Sequence, residues 1–191
     1  MVPIACIELS AAERQTLIVT ARESIRCGVV EHVELSVNPQ DHSPNLQGHC
    51  ASFVTLHIGK ELRGCVGSII ASEPLVANVA HSAYAAATRD RRFSPLKVRD
   101  LQLISIEISI LSPLEELRAT TEAEILQQIL PHHHGVYISD GIHSSTFLPV
   151  VWDKLPDRQQ FWTALKNKAG LATNSWPANM RALLYTARKI E

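Results

Sequence analysis

Two residues on one predicted strand, Arg63 and Cys65, carry a positive charge and a nucleophilic thiol. They stand in the sequence LRGCVGS at residues 62–68, among glycines that usually mark a bulge or a close approach of the backbone to another group. The thiolate is the reactive form of cysteine, and a neighbouring guanidinium favours it. The segment predicts either a bulged strand end that presents Arg63 and Cys65 to a cleft, or a buried structural cysteine with Arg63 in a salt bridge.

Histidines are the other candidates for proton transfer or ligation. His57 lies across the predicted hairpin from Cys65, where it would act as a general base or be an ordinary surface or core histidine. Residues 132–134 are three consecutive histidines after a proline. Adjacent residues cannot all face one ion in regular structure, and no second cluster with ligand spacing accompanies them, so a polar loop is favoured over a metal site. We predict no metal.

The composition argues against several classes of protein. The chain has 191 residues, a formal net charge of −1 and 46% hydrophobic residues, which are ordinary values for one globular domain. No basic run exceeds Arg91-Arg92, so we expect no surface for nucleic acid or for an anionic membrane, because counterion release needs clustered cations. No signal peptide and no apolar run of roughly 20 residues is seen. A cytoplasmic location is the expectation.

The four cysteines, Cys6, Cys27, Cys50 and Cys65, never form a C-x-x-C pair. Neither a zinc knuckle nor a dithiol redox motif is therefore indicated. In a reducing compartment these side chains are expected to be free thiols. We predict a monomer or a homodimer that has no disulfide and needs no cofactor.

Several helices follow from capping and spacing. A capping box at Ser10 and Glu13 opens the first helix, and Gly28 is expected to end it. A second helix is predicted after Pro74, and a short one at residues 121–130. A last helix is predicted between Asp157 and Gly170.

The strands are predicted from alternation and turn residues. Residues 53–58 and 61–67 flank a glycine turn and form a hairpin, and residues 136–139 and 145–148 form a second pair. Four isoleucines at residues 104–110 alternate with Ser105, Glu107 and Ser109, whose side of the strand would line a pocket or meet solvent. Residues 181–187 are predicted as a final edge strand. Short turns between strands favour an α+β fold over a doubly wound parallel sheet.

Several segments together resemble the AmmeMemoRadiSam system protein A family, which is defined by the AMMECR domain. Residues 62–68 look like its L-R-G-C-[IV]-G-[ST] motif, and residues 90–95 (DRRFSP) look like its D-P-R-F-x-P, with Arg91 where proline is usual. Similar landmarks follow in order at residues 106–112, 134–136, 147–149 and 166–171. Where the family tends to have L-P-Q-V, this chain has LPVV at residues 148–151 and so lacks the glutamine.

The resemblance implies that the whole chain, residues 1–191, is a single AMMECR-type domain. Its fold would be a two-lobed α+β domain with a mostly antiparallel sheet, flanking helices and a cleft lined by residues 63–68. The candidate catalytic residues are then Cys65 and Arg63, and we expect them to approach Asp90 or Arg92. The expected cleft and ligand-binding residues are Gly64, Gly67, Ser68, Asp90, Arg92, Phe93 and His57.

The resemblance also implies two partners, a Memo-like protein and a radical S-adenosylmethionine enzyme, but it defines no reaction. The leading hypothesis is a protein that acts with these partners and either catalyses a step or presents a substrate at Arg63 and Cys65. The alternative is a non-catalytic adaptor that binds a partner's peptide in the same cleft. A nucleic-acid factor is disfavoured by the near-neutral charge.

Overall fold

Two four-stranded sheets organise the protein. The structure is a computed structural model that describes residues 8–119, 121–174, 177 and 179–191. It forms two compact units, the first made of Met1–Ser112 and Arg188–Glu191 and the second of Pro113–Ala187. The helices are α1 (Ala11–Arg26), α2 (Pro44–Gln47), α3 (Leu75–Thr88), α4 (Glu122–Gln128) and α5 (Arg158–Lys168). The strands are β1 (Ser52–Ile58), β2 (Glu61–Gly67), β3 (Ile104–Leu111), β4 (Glu115–Glu116), β5 (Gly135–Ser139), β6 (Ser144–Phe147), β7 (Arg181–Tyr185) and β8 (Ala187–Ile190).

The sheet of the first unit has the strand order β2-β1-β3-β8. Residues of β1 pair antiparallel with both neighbours, so that Val54 lies opposite Val66 on β2 and Ile108 on β3. Alternation places these apolar side chains on one side of the sheet, where α1 and α3 complete a core. The other side of the sheet carries the polar residues of the same strands.

The end of α1 differs from the prediction that Gly28 stops the helix. Regular α-helix ends at Arg26, but the chain continues as a π-helical turn, Cys27–Glu31, and His32 then takes a left-handed conformation with φ of 59°. A Cβ at residue 28 would lie 2.6 Å from Tyr84 Cδ2. Gly28 is therefore needed for a close contact with α3, and His32 is the residue at which the helix ends.

The second unit contains the sheet β4-β7-β5-β6, which covers a core that includes Trp152, Phe161 and Trp162. The prediction of one final edge strand at residues 181–187 was wrong. The strand β7 lies inside this sheet between β4 and β5, whereas β8 belongs to the sheet of the first unit. Only Thr186 separates the two strands, so the sequence shows them as one run.

Lys166 is fully buried in α5 of the second unit. Its ammonium donates to Glu122 Oε2, at 2.8 Å, and to the carbonyl of Thr173. An uncompensated buried charge costs several kcal/mol, so both acceptors are required. The lysine thereby links the start of α4 to the loop after α5.

The α+β fold class is confirmed. Every strand pair whose register is described is antiparallel, and helices pack on the sheets instead of alternating with parallel strands. Among the described residues, no helix combines the length and the apolar character that crossing a membrane requires.

Candidate functional site

The hairpin of β1 and β2 contains a bulge at Arg63. Leu56 pairs with Gly64 and His57 pairs with Leu62, so Arg63 is an extra residue on β2. A bulge breaks the regular ladder and redirects the side chains beside it. The glycine-containing segment thus forms the irregular strand that its sequence predicted.

Gly64 shows which side of the sheet each residue of β2 faces. A Cβ at this position would lie 2.1 Å from the carbonyl oxygen of Ala86, so β2 rests directly on the backbone of α3. Because neighbouring residues of a strand point to opposite faces, Cys65 points away from α3. Arg63 is the extra residue of the bulge, so alternation does not assign it to either face.

The backbone of Cys65 is held by two charged side chains. Its N–H donates to Asp90 Oδ2 at 2.9 Å, and its carbonyl accepts from an Arg92 Nη at 2.9 Å. The two side chains also pair with each other at 2.7 Å. Since β2 is an edge strand, this Asp90–Arg92 clamp takes the place of a neighbouring strand at Cys65.

The clamp is charged at neutral pH. The Asp90 carboxyl is 6% exposed, and hydrogen bonds from Arg92 and from the Cys65 N–H lower its pKa to about 2. The Asp90 carboxylate in turn raises the pKa of Arg92. The guanidinium also lies 5.4 Å from the centre of the Phe93 ring. The two motifs that the sequence singled out therefore meet at the backbone of Cys65.

The Cys65 thiol is half-buried and contacts β1. Thr55 lies directly opposite Cys65, and its hydroxyl donates to Sγ at 3.4 Å. Thr55 also lies opposite Glu107 on β3, and Glu107 accepts from Lys189 Nζ on β8 at 3.0 Å. Four polar side chains therefore form a row across the sheet, with one residue on each strand: Cys65 on β2, Thr55 on β1, Glu107 on β3 and Lys189 on β8. We call these four residues the polar row.

Sequence reasoning did not find Thr55 and Lys189, and it noted Glu107 only as part of a polar strand side. The alternation in β3 gives the side on which Glu107 lies, but which residue of a neighbouring strand faces it depends on register. The bulge at Arg63 sets that register on β2. His57 lies opposite Leu62 on β2 and opposite Ser105 on β3, two residues along β1 from Thr55.

The remaining predicted site residues have structural contacts. A Cβ at Gly67 would lie 2.2 Å from the Ser52 carbonyl oxygen, and the Ser68 N–H donates to that same oxygen at 3.0 Å. The Ser68 hydroxyl closes a turn with Ile70. The N–H of Phe93 donates to the Asp90 carbonyl and so shapes the loop of the clamp.

One of the two predictions for residues 62–68 made Cys65 a buried structural residue and placed Arg63 in a salt bridge. In the part of the chain that the structure describes, no hydrogen bond or ion pair engages the half-buried side chain of Arg63. A cation in this state is available to an anion that enters from solvent.

The other cysteines are placed differently from Cys65. Cys27 and Cys50 are buried, and burial raises the pKa of Cys27. Cys6 lies outside the described residues. Of the three described thiols, Cys65 is the one with partial access to solvent.

The three consecutive histidines form a fixed loop in the second unit. His132 pairs with Asp153 at 3.3 Å, and His134 Nδ1 accepts from the Leu130 N–H. The carbonyl of His134 accepts from Trp152 Nε1 at 2.7 Å. Burial lowers the pKa of the His134 imidazole. Within the described residues, no group of three or more His, Cys, Asp or Glu side chains is arranged to hold a metal.

Comparisons with known proteins identify the family of the chain. The AMMECR1 family model matches residues 18–190. A protein of Thermofilum pendens is 30% identical over 179 residues, which cover 88% of this chain and 84% of the relative. A protein of Methanothermobacter thermautotrophicus is 33% identical over 167 residues, 85% of each chain. The crystal structure of an uncharacterised protein from Pyrococcus horikoshii has a TM-score of 0.81 and 28% identity, covering 91% of this chain and 88% of that one.

These matches extend over nearly the whole chain and both sheets. The fold and the hallmark strand define a protein of the AMMECR class. The chain belongs to the AMMECR1 family.

Proposed function

We propose that this AMMECR1-family protein handles an anionic, electrophilic substrate at Cys65, in the cytoplasm and beside a Memo-like protein and a radical S-adenosylmethionine enzyme. Arg63 binds the negative charge of the substrate. The Cys65 sulfur adds to the electrophilic carbon of a double bond in the substrate, and the thiol proton passes to the other atom of that bond. Only the π bond and the S–H bond break, so the step needs no oxidant or reductant. The two partners come from the family resemblance.

The observation that carries the proposal is the combination of access and rigidity at Cys65. This thiol is partly exposed whereas Cys27 and Cys50 are buried. The Asp90–Arg92 clamp fixes its backbone on the side away from β1. Arg63 lies two residues away with no described partner. A nucleophile held at a fixed position beside a cation suits an anionic electrophile.

Alkylation with two probes of different charge tests the site. Iodoacetate is anionic and iodoacetamide is neutral, and peptide mass spectrometry follows each cysteine separately. We expect Cys65 to react first with both probes, with Cys27 and Cys50 as slow internal controls. Arg63→Met should reduce the iodoacetate rate several-fold relative to the iodoacetamide rate, whereas the control Arg91→Met should leave the ratio unchanged.

An inert Cys65 in the folded protein would contradict the proposal and favour the non-catalytic adaptor. An unchanged ratio of the two rates in Arg63→Met would remove Arg63 from the site. The partnership is tested separately in the host. A strain with Cys65→Ser should accumulate the same metabolites as strains that lack the Memo-like or the radical S-adenosylmethionine protein.

A further inference from the structure

A cavity of about 250 Å³ lies in the first unit, where the π-helical turn meets the C-terminal half of α3. Gly28, Val29 and His32 line it from the turn, and Tyr84 and Thr88 line it from α3. Pro95 and Leu96 form the remaining wall. None of these residues belongs to the polar row or to the Asp90–Arg92 clamp.

The backbone around the cavity is unusual at two neighbouring positions. A π-helical turn is rare and is found frequently at functional sites. His32 follows it with φ of 59°, a left-handed conformation that is uncommon for residues other than glycine. Such conformations persist where the surroundings impose them, and they cluster at ligand sites. Both features lie on the same wall of the cavity.

The polar side chains of the lining have capacity for further hydrogen bonds. Within the described chain, neither the His32 imidazole nor the Tyr84 hydroxyl has a hydrogen-bond partner. The Thr88 hydroxyl donates its proton to the Tyr84 carbonyl at 2.7 Å, which leaves its oxygen able to accept. The cavity therefore offers a donor or acceptor at His32 and an acceptor at Thr88.

The lining also restricts the charge and size of the ligand. It contains no Asp, Glu, Lys or Arg, and Val29, Pro95 and Leu96 give it an apolar wall. The guanidinium of Arg89 lies outside the lining, over the Tyr84 ring and 4.8 Å from its centre. An ionic ligand would therefore lose hydration without a counter-charge in the lining itself. The volume is below the roughly 300–1,000 Å³ of most sites for drug-sized ligands, so it suits one or two fused rings without a large substituent.

We propose that this cavity binds a small, uncharged, planar nitrogen heterocycle of about the size of a nucleobase. The ring lies against the apolar wall and the edge of Tyr84. A ring nitrogen exchanges a hydrogen bond with His32, and an N–H of the ligand donates to Thr88. This site is separate from the function proposed at Cys65.

Adenine is a suitable probe, titrated into the full-length protein and followed by ¹H–¹⁵N chemical shifts. We expect saturable shifts centred on residues 28–32 and 84–88. Adenosine 5′-monophosphate should bind no more tightly than adenine, because the lining has no cation for its phosphate. Scattered, non-saturating shifts, or tighter binding of the nucleotide, would overturn the proposal.

Substitution of His32 separates binding from folding. Glycine adopts φ of 59° without strain, so His32→Gly should keep or raise the melting temperature while it removes the imidazole. We expect adenine affinity to fall about fivefold or more, as for one lost hydrogen bond. His132→Gly is a matched control, since His132 has φ of 60° but lies in the second unit.

Thr88→Val provides a second variant of nearly the same size. It should weaken adenine binding by a similar factor, because the acceptor oxygen is lost together with the hydroxyl's own hydrogen bond to the Tyr84 carbonyl. Wild-type affinity in both His32→Gly and Thr88→Val would show that the cavity is not the binding site. A loss of affinity in the control His132→Gly as large as that in His32→Gly would also contradict the proposal.

Discussion

The position of Cys65 is set by contacts to its backbone, because Asp90 accepts from its N–H and Arg92 donates to its carbonyl. An exposed edge strand usually has unpaired backbone groups that attract other strands. Here a carboxylate and a guanidinium satisfy those groups at one residue. The side chain of Cys65 is consequently free to vary without loss of the clamp.

Serine at position 65 should preserve the fold. The Thr55 hydroxyl that donates to Sγ can donate to a serine oxygen, and the half-buried position leaves that oxygen partly hydrated. We expect Cys65→Ser to change the free energy of unfolding by less than about 1 kcal/mol. Cys65→Leu should cost about 1–3 kcal/mol because its extra carbons crowd Thr55. Urea unfolding measures the free energy of unfolding of both variants. A serine variant that is less stable than the leucine variant would contradict the prediction.

The charge of Asp90 predicts a pH dependence of stability. Its pKa is about 2 in the folded protein and near 3.8 when unfolded, so its contribution is present above about pH 4 and is lost as the pH falls towards 2. Because Arg92 is largely exposed, we expect the contribution to be only about 1–2 kcal/mol. The stability difference between wild type and Asp90→Asn should shrink between pH 5 and pH 2.

Urea unfolding at several pH values measures that difference. Asp41→Asn, at an exposed aspartate, is the control and should track wild type throughout. A difference that stays constant down to pH 2 would mean that Asp90 acts through its shape and not through its charge.

Residue chemistry was easier to predict than residue pairing. The sequence indicated the strand that carries Cys65, and the structure brings Asp90 and Arg92 to it. It did not indicate Thr55, because a single extra residue at Arg63 decides which side chain of β1 faces the thiol. Glycines indicate that a strand is irregular, but they do not show which residue is the extra one or which pairing register follows it.

At the scale of elements, β2 and α3 approach each other through Gly64. The neighbouring atoms belong to the backbone of Ala86, which cannot rotate away from an added methyl group. We expect Gly64→Ala to lower the free energy of unfolding by about 1–3 kcal/mol or more. Glu61→Ala, at an exposed position of the same strand, should be nearly neutral. Equal melting temperatures for the two variants would show that the contact adjusts easily.

The buried lysine of α5 makes a second element contact that mutation can test. Lys166→Met removes the ammonium that donates to Glu122 Oε2 and to the Thr173 carbonyl, while Gln159 still donates to Glu122 Oε1. Because Glu122 is 27% exposed and can be rehydrated, we expect a loss of about 1–3 kcal/mol, less than for a fully buried pair. Adding Glu122→Leu should recover part of that loss in a double-mutant cycle of unfolding free energies. Additive losses would indicate that the two side chains do not interact.

Element boundaries followed the sequence where local signals decide them. The capping box at Ser10 and the N-cap at Asp157 are present as predicted, because each needs only residues three positions apart. Gly28 was misread as a stop, because the residue that requires a glycine there is Tyr84, which is distant in sequence. Likewise, nothing local to Thr186 shows that the strands on its two sides join different sheets.

At the scale of the whole molecule, each unit has its own apolar core. Trp152 and Trp162 are buried in the second unit, and Trp176 falls in the same stretch of sequence. The longer helices α1 and α3 are in the first unit. We expect tryptophan fluorescence and far-ultraviolet circular dichroism to give different urea midpoints. Coincident curves from both probes would show that the units unfold together.

The insertion of the second unit between β3 and β8 has a consequence for synthesis. The strand β8, with Lys189, leaves the ribosome only after the roughly 75 residues of the second unit, which takes about 4–15 s. During that interval the first sheet has three strands, and β3 is a temporary open edge. Nascent chains on one messenger are close together, so this edge is open to pairing between copies while the second unit is being made.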